Sequence, residues 1–166
     1  MARMVPRWPH GQLLRVALMF VTPLDLRAYR PDEWVVLAPL RWESGGVVVT
    51  TPRGFITDLA SIPRSLRGVL SVTGRSRKAA VTHDWGYCSQ GMSRAETDEL
   101  FRRCLISEGV SPAVARIYWA GVRCAGLMYW NRRASGVSAE DFAMRSDYER
   151  HISIAGVGTF REAEPA

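Results

Sequence analysis

The chain is nearly devoid of lysine: of its 22 basic residues only Lys78 is one, and the formal net charge of +6 is carried almost wholly by arginine. That charge favours contact with nucleic acid or anionic lipid without selecting either. Cysteine is scarce too. Cys88, Cys104 and Cys124 form no C-x-x-C pair and leave one over if two were bridged, so a disulfide scaffold is excluded and the thiols read as reduced and mostly buried. The three histidines, His10, His83 and His151, are too few and too far apart for a zinc site at short spacing. They also leave a phosphohydrolase of the HD metal type short of an upstream ligand. No G-x-S-x-G elbow and no phosphate-binding P-loop occurs. Long apolar runs are missing, so nothing reads as a transmembrane span. The N-terminus does not make a convincing signal peptide either. Pro6 and Pro9 interrupt it, the apolar run from Val16 to Val21 is short, no small-residue cleavage site follows, and a strand explains the run equally well.

What is present fits one domain. A chain of 166 residues with 47% apolar content can bury a core without metal or disulfide staples. Residues 13–21, 34–42 and 46–51 are rich in branched and aromatic side chains and are separated by Pro, Asp and Gly, which predicts strands. Glu43-Ser44-Gly45-Gly46 predicts a hairpin between the last two, with Phe55 and Ile56 returning to the sheet after a turn at Thr51-Pro52-Arg53-Gly54. A helix is expected from about Ser76 to Cys88, stopped by Gly91. Ser93-Arg94-Ala95-Glu96 has the form of a capping box, so a second helix starts at Arg94 with Thr97, Phe101, Cys104 and Leu105 as its apolar stripe. Ser111-Pro112 opens a third, expected to run to about Arg132 as a buried core helix. After Gly136 a last amphipathic helix capped by Ser138 or Asp141 is expected to end near His151. The expected class is α+β: a small N-terminal antiparallel sheet followed by three to four helices. Its domain is placed at 1–135 (sheet 13–56, helices 64–132), with 136–166 as a C-terminal arm, helical and then disordered. There are no internal repeats.

The chemistry concentrates in Arg77–Phe101. On a helix His83 and Tyr87 are i and i+4 and share a face, while Asp84 points about a hundred degrees away. An imidazole can accept a proton near neutral pH, and a carboxylate can hold a hard cation or orient a water. Ala79, Ala80, Val81 and Trp85 indicate that the turn is packed, and a packed His-Asp-Tyr cluster must find partners. The alternative is a satisfied structural histidine beside a solvated aspartate. Asp98 lies at the edge of the second helix's apolar stripe, where it can reach a partner helix or simply pair with Arg102 at i+4. Asp58, at the exit of a strand, is either a turn cap or a site residue. Arg64, Arg67, Arg75, Arg77 and Lys78 surround a short apolar patch without an aromatic platform, which reads as a solvated rim.

Two blocks in order, FITDLASIP (Phe55 to Pro63) and AAVTHDWGY (Ala79 to Tyr87), followed by the aspartate of TDELF, resemble a phage and prophage family catalogued only as a domain of unknown function, DUF1353. The resemblance covers roughly residues 50–130 and implies a phage origin but no activity. Separately, H-D-x-x-Y followed by an aspartate early in the next helix is similar to the core of phospholipase A2. That resemblance implies His83 as general base, Asp98 as its orienter, Tyr87 as a supporting donor and Asp84 as a calcium ligand, with Asp58 a candidate further ligand. The chain departs from that pattern in lacking a glycine-rich calcium loop before His83, in a shorter interval to Asp98 and in its β-rich N-terminal third. The expectation is therefore a calcium-assisted esterase or other hydrolase acting on the bacterial envelope. The alternatives are a structural virion component, at the tail or its tip, contacting other virion proteins, and an arginine-mediated nucleic-acid binder. The corresponding location is the virion or the host cytoplasm.

Overall fold

The computed structural model describes residues 19–59 and 74–155. Among the described residues six strands come first: β1 (Met19–Phe20), β2 (Leu26–Arg30), β3 (Glu33–Val36), β4 (Leu40–Ser44), β5 (Val47–Thr51) and β6 (Ile56–Thr57). Five α-helices follow: α1 (Arg77–Ser89), α2 (Arg94–Ser107), α3 (Pro112–Ala125), α4 (Leu127–Arg132) and α5 (Arg145–Ala155). This is the α+β arrangement expected.

The strands form two antiparallel three-stranded sheets, ordered β1-β4-β5 and β2-β3-β6. The β4–β5 hairpin closes through Gly45 (φ 55°) and Gly46 (φ 82°), and two positive φ angles give the turn a twist that matches the strands beside it. The single strand expected over 34–42 is instead β3 and β4, one in each sheet. Between them stand Leu37-Ala38-Pro39, and a proline that lacks an N–H cannot sit inside a ladder. Strand β2 was not expected: its LRAYR carries two arginines and is mostly exposed, so only pairing with β3 identifies it as a strand. Of the two residues expected to return, Ile56 does, pairing with Val35 beside Thr57 on Trp34, whereas Phe55 makes an isolated bridge to Phe142. Of the strand expected over 13–21, Met19–Phe20 pairs with β4, and residues 13–18 lie outside the described residues.

Alternation in β4 sends Leu40 and Trp42 inward and Arg41 outward. These two, with Val36, Val49 and Phe55, pack against Ala79, Val81, Trp85 and Cys88 of α1 and Leu100, Phe101, Cys104 and Leu105 of α2. Helix α1 ends on Gln90 in the left-handed conformation (φ 48°), so Gln90, not Gly91, forms the stop. The capping box at the start of α2 is formed, with Ser93 accepting from the Glu96 amide and Glu96 from the Ser93 amide.

The third expected helix differs in two ways. It divides at Gly126 into α3 and α4, and it is not a buried core helix. Only Ala115, Tyr118 and Val122 of α3 are buried, a single stripe lying on α2, while Ile117, Leu127, Met128 and Tyr129 are exposed. Beyond Gly136 the chain returns to the sheet. Ser138 and Asp141 cap a short 3-10 turn (Ala139–Asp141), Phe142 enters the core, and the Ala143 amide donates to the Gly54 carbonyl at 2.9 Å. His151 of α5 lies edge-on to Trp85, with ring centroids 5.0 Å apart. The tail expected to be disordered, residues 156–166, lies outside the described residues. Among the described residues no helix is long and apolar enough to cross a membrane.

Candidate functional site

Helix α1 carries His83, Asp84 and Tyr87, and the capping box of α2 fixes that helix's first turn so that Asp98 faces α1. The two helices meet closely at Gly86. A Cβ placed there would stand 2.5 Å from Thr97 Cγ2, closer than packed carbon atoms come. The approach brings the His83 Nε2 within 2.9 Å of Asp98 Oδ1, and the same oxygen accepts the Tyr87 hydroxyl at 2.8 Å. His83 is 4% exposed and Asp98 fully buried. The Tyr87 and Phe101 rings flank the imidazole at 4.3 and 4.8 Å between centroids.

Two arginines extend the network. Arg123 of α3 donates from Nη1 to Asp98 Oδ2 at 2.9 Å, and Arg94 ion-pairs with the same oxygen at 3.7 Å while donating to the Arg123 carbonyl. Asp98 does not pair with Arg102. That residue takes Glu99 in a two-bonded fork instead. Burial alone would raise the Asp98 carboxyl, but hydrogen bonds from His83, Tyr87 and Arg123 overcome it and hold the group below the ordinary carboxylate value. Burial and the adjacent carboxylate push the Tyr87 phenol up, so it remains a donor. Gly126 supplies the space: a Cβ there would lie 2.3 Å from the Tyr87 hydroxyl.

Asp84 points in the second direction that helical spacing requires. It is half-buried and accepts the Thr57 hydroxyl of β6. Asp58 follows Thr57 directly and is exposed. Burial, with both carboxylates adding to it, drives the Tyr129 phenol up to about 12. For calcium these donors fit in kind, being two carboxylates and a hydroxyl, and they would fill part of a shell of about six to eight oxygens. Among the described residues no cluster of three or more His, Cys, Asp or Glu side chains stands ready for a metal, so carbonyls or waters would have to complete it.

The thiols are poor nucleophile candidates. Burial pushes Cys88 up to about 12 and raises Cys104 strongly, which keeps both protonated, while Cys124 is exposed away from the core. His10, Arg64 and Arg67 lie outside the described residues, and Arg77 is exposed. The sequence reading missed Arg123 and Arg94 as partners of Asp98, and Thr57 as a partner of Asp84. A signal existed for Arg123: an arginine set in an apolar helix needs a carboxylate on whatever helix it faces.

With Nε2 bound to an ionised carboxylate, the imidazole is held in one orientation by Asp98, and its ring proton on that side is assigned to Nε2. That is the disposition of a base held in one tautomer. Comparison with curated proteins and with solved structures finds no match. Residues 34–122, from β3 to the end of the α3 stripe and including His83, Asp84, Tyr87 and Asp98, match the model of a family described as a protein of unknown function. The chain belongs to that family, DUF1353.

Proposed function

We propose that this chain is a phage-encoded hydrolase that cleaves an ester or related bond of the bacterial envelope, with His83 as general base. The observation carrying the proposal is the shared oxygen: Asp98 Oδ1 accepts from both His83 Nε2 and Tyr87. Asp98 orients the ring, Tyr87 steadies the carboxylate, and Arg94 and Arg123 fix its other oxygen. His83 takes the proton of a water as that water attacks the carbonyl, and no protein nucleophile is needed. Asp84 and Asp58 would hold calcium, which when bound polarises the substrate carbonyl.

A second reading is a structural virion component, and the near-complete burial of His83 and Asp98 favours it. The two readings part in an assay of phospholipid and cell-wall hydrolysis by wild type and His83→Ala, each with calcium or a chelator. We expect His83→Ala to lower turnover by roughly two orders of magnitude or more, the usual contribution of a general base. Chelation lowers wild-type turnover if Asp84 and Asp58 hold the ion. Equal turnover by both proteins, or none by either, supports the structural reading instead.

A further inference from the structure

The surface of α3 opposite its buried stripe, continued by α4, is apolar and, among the described residues, unpartnered. Ala113, Ile117, Ala120, Cys124 and Leu127 recur at intervals of four and three and are all exposed. Ile117 is 50% exposed, Leu127 52%, Met128 69% and Tyr129 46%. Apolar side chains so grouped on one side of consecutive helices mark an interaction surface. Along the chain its charge is one-sided, with four arginines and no acidic residue from Gly109 to Ala139, while Asp84 and Asp58 of other segments act on Tyr129. Arg123 and Arg133 are engaged by Asp98 and Asp141, whereas Arg116 and Arg132 are exposed beside the apolar stripe.

We propose that this α3–α4 surface docks on an anionic lipid surface. A two-fold contact with a second copy would set arginine against arginine with no carboxylate between them. Nucleic acid would accept the arginines but gain nothing from Ile117, Leu127 and Met128. Lipid matches both halves, since acyl chains take the apolar side chains, headgroup phosphates take Arg116 and Arg132, and Tyr129 with the half-buried Trp130 sits at the boundary. The surface is continuous with the site described above. Arg123 of α3 holds Asp98, and the Tyr129 and Trp130 rings of α4 lie 6.1 and 5.0 Å from Tyr87. Docking rests on these residues and not on His83 chemistry, so it stands or falls separately from hydrolysis.

The test is co-sedimentation of the full chain with vesicles of equimolar phosphatidylglycerol and phosphatidylethanolamine, against vesicles of phosphatidylcholine. Wild type and His83→Ala bind the anionic vesicles, more weakly as salt rises. Leu127→Glu with Met128→Glu, both at exposed positions, weakens binding roughly tenfold or more, and Arg116→Gln with Arg132→Gln reduces the preference for anionic lipid. Wild type remaining in the supernatant, or binding that the two glutamates leave intact, overturns the proposal. So does a dimer in sedimentation velocity that the same glutamates dissociate, which would assign the surface to a second copy.

Discussion

Asp98 accepts from three side chains, and its value to the fold depends on remaining ionised. Its carboxyl lies below the ordinary value of 3.8, so the stability it contributes is complete above that value and is lost as pH falls through the lower folded value. Denaturant melts between neutral pH and pH about 3 should therefore show a loss in wild type that is smaller in Asp98→Asn, where that proton linkage is gone. Equal acid sensitivity in both would place the linkage elsewhere. Tyr87→Phe removes one donor to the same carboxylate and should cost about 1 kcal/mol in a melt. The carboxylate's position at the edge of a packed stripe was legible in the sequence, as was the arginine interrupting an apolar helix. That Arg123 and Asp98 answer each other was not, because 25 residues separate them and only the α2–α3 packing brings them together.

Helix termini and helix contacts were read with different success, for a physical reason. The Ser93-Glu96 box is local, needing only four residues to satisfy two orphan amides, and the structure forms it as expected. Ser93→Ala should cost about 1 kcal/mol by thermal melt. The close approach of α1 and α2 depends on residues from both helices and left no local pattern. Gly86→Ala would drive a Cβ against Thr97 Cγ2 and should cost about 1–3 kcal/mol. Adding Thr97→Ser removes that methyl while keeping the hydroxyl that bonds the Ser93 carbonyl, so the double variant should recover most of the loss. A double variant as unstable as Gly86→Ala would show that the strain lies elsewhere. The misreading of α3 and α4 as one buried helix has the same origin. Apolar content on most sides of a helix gives its hydrophobicity, but the number of neighbours decides which sides are buried, and α3 lies on α2 along one stripe only.

At the scale of the molecule, the order sheet then helices was legible because strand and helix periods differ, whereas the split into two sheets was not, since it turns on where Pro39 interrupts one apolar run. The segment after Gly136 sends Phe142 into the core against Trp85 and Tyr148. Phe142→Ala should cost about 3–5 kcal/mol, and a change under 1 would mean that the segment packs only loosely. The same scaffold that fastens this segment holds α1 against α2 and so sets the His83–Asp98 distance on which the proposed hydrolysis depends. The most direct measurement is steady-state hydrolysis by Asp98→Asn, folded at the assay temperature as judged by its melt. An asparagine keeps the shape but can turn its amide toward Nε2 and place the imidazole proton on Nδ1. The predicted result is a kcat lower by roughly three orders of magnitude or more with KM little changed. Turnover within a few-fold of wild type would contradict a base oriented by Asp98.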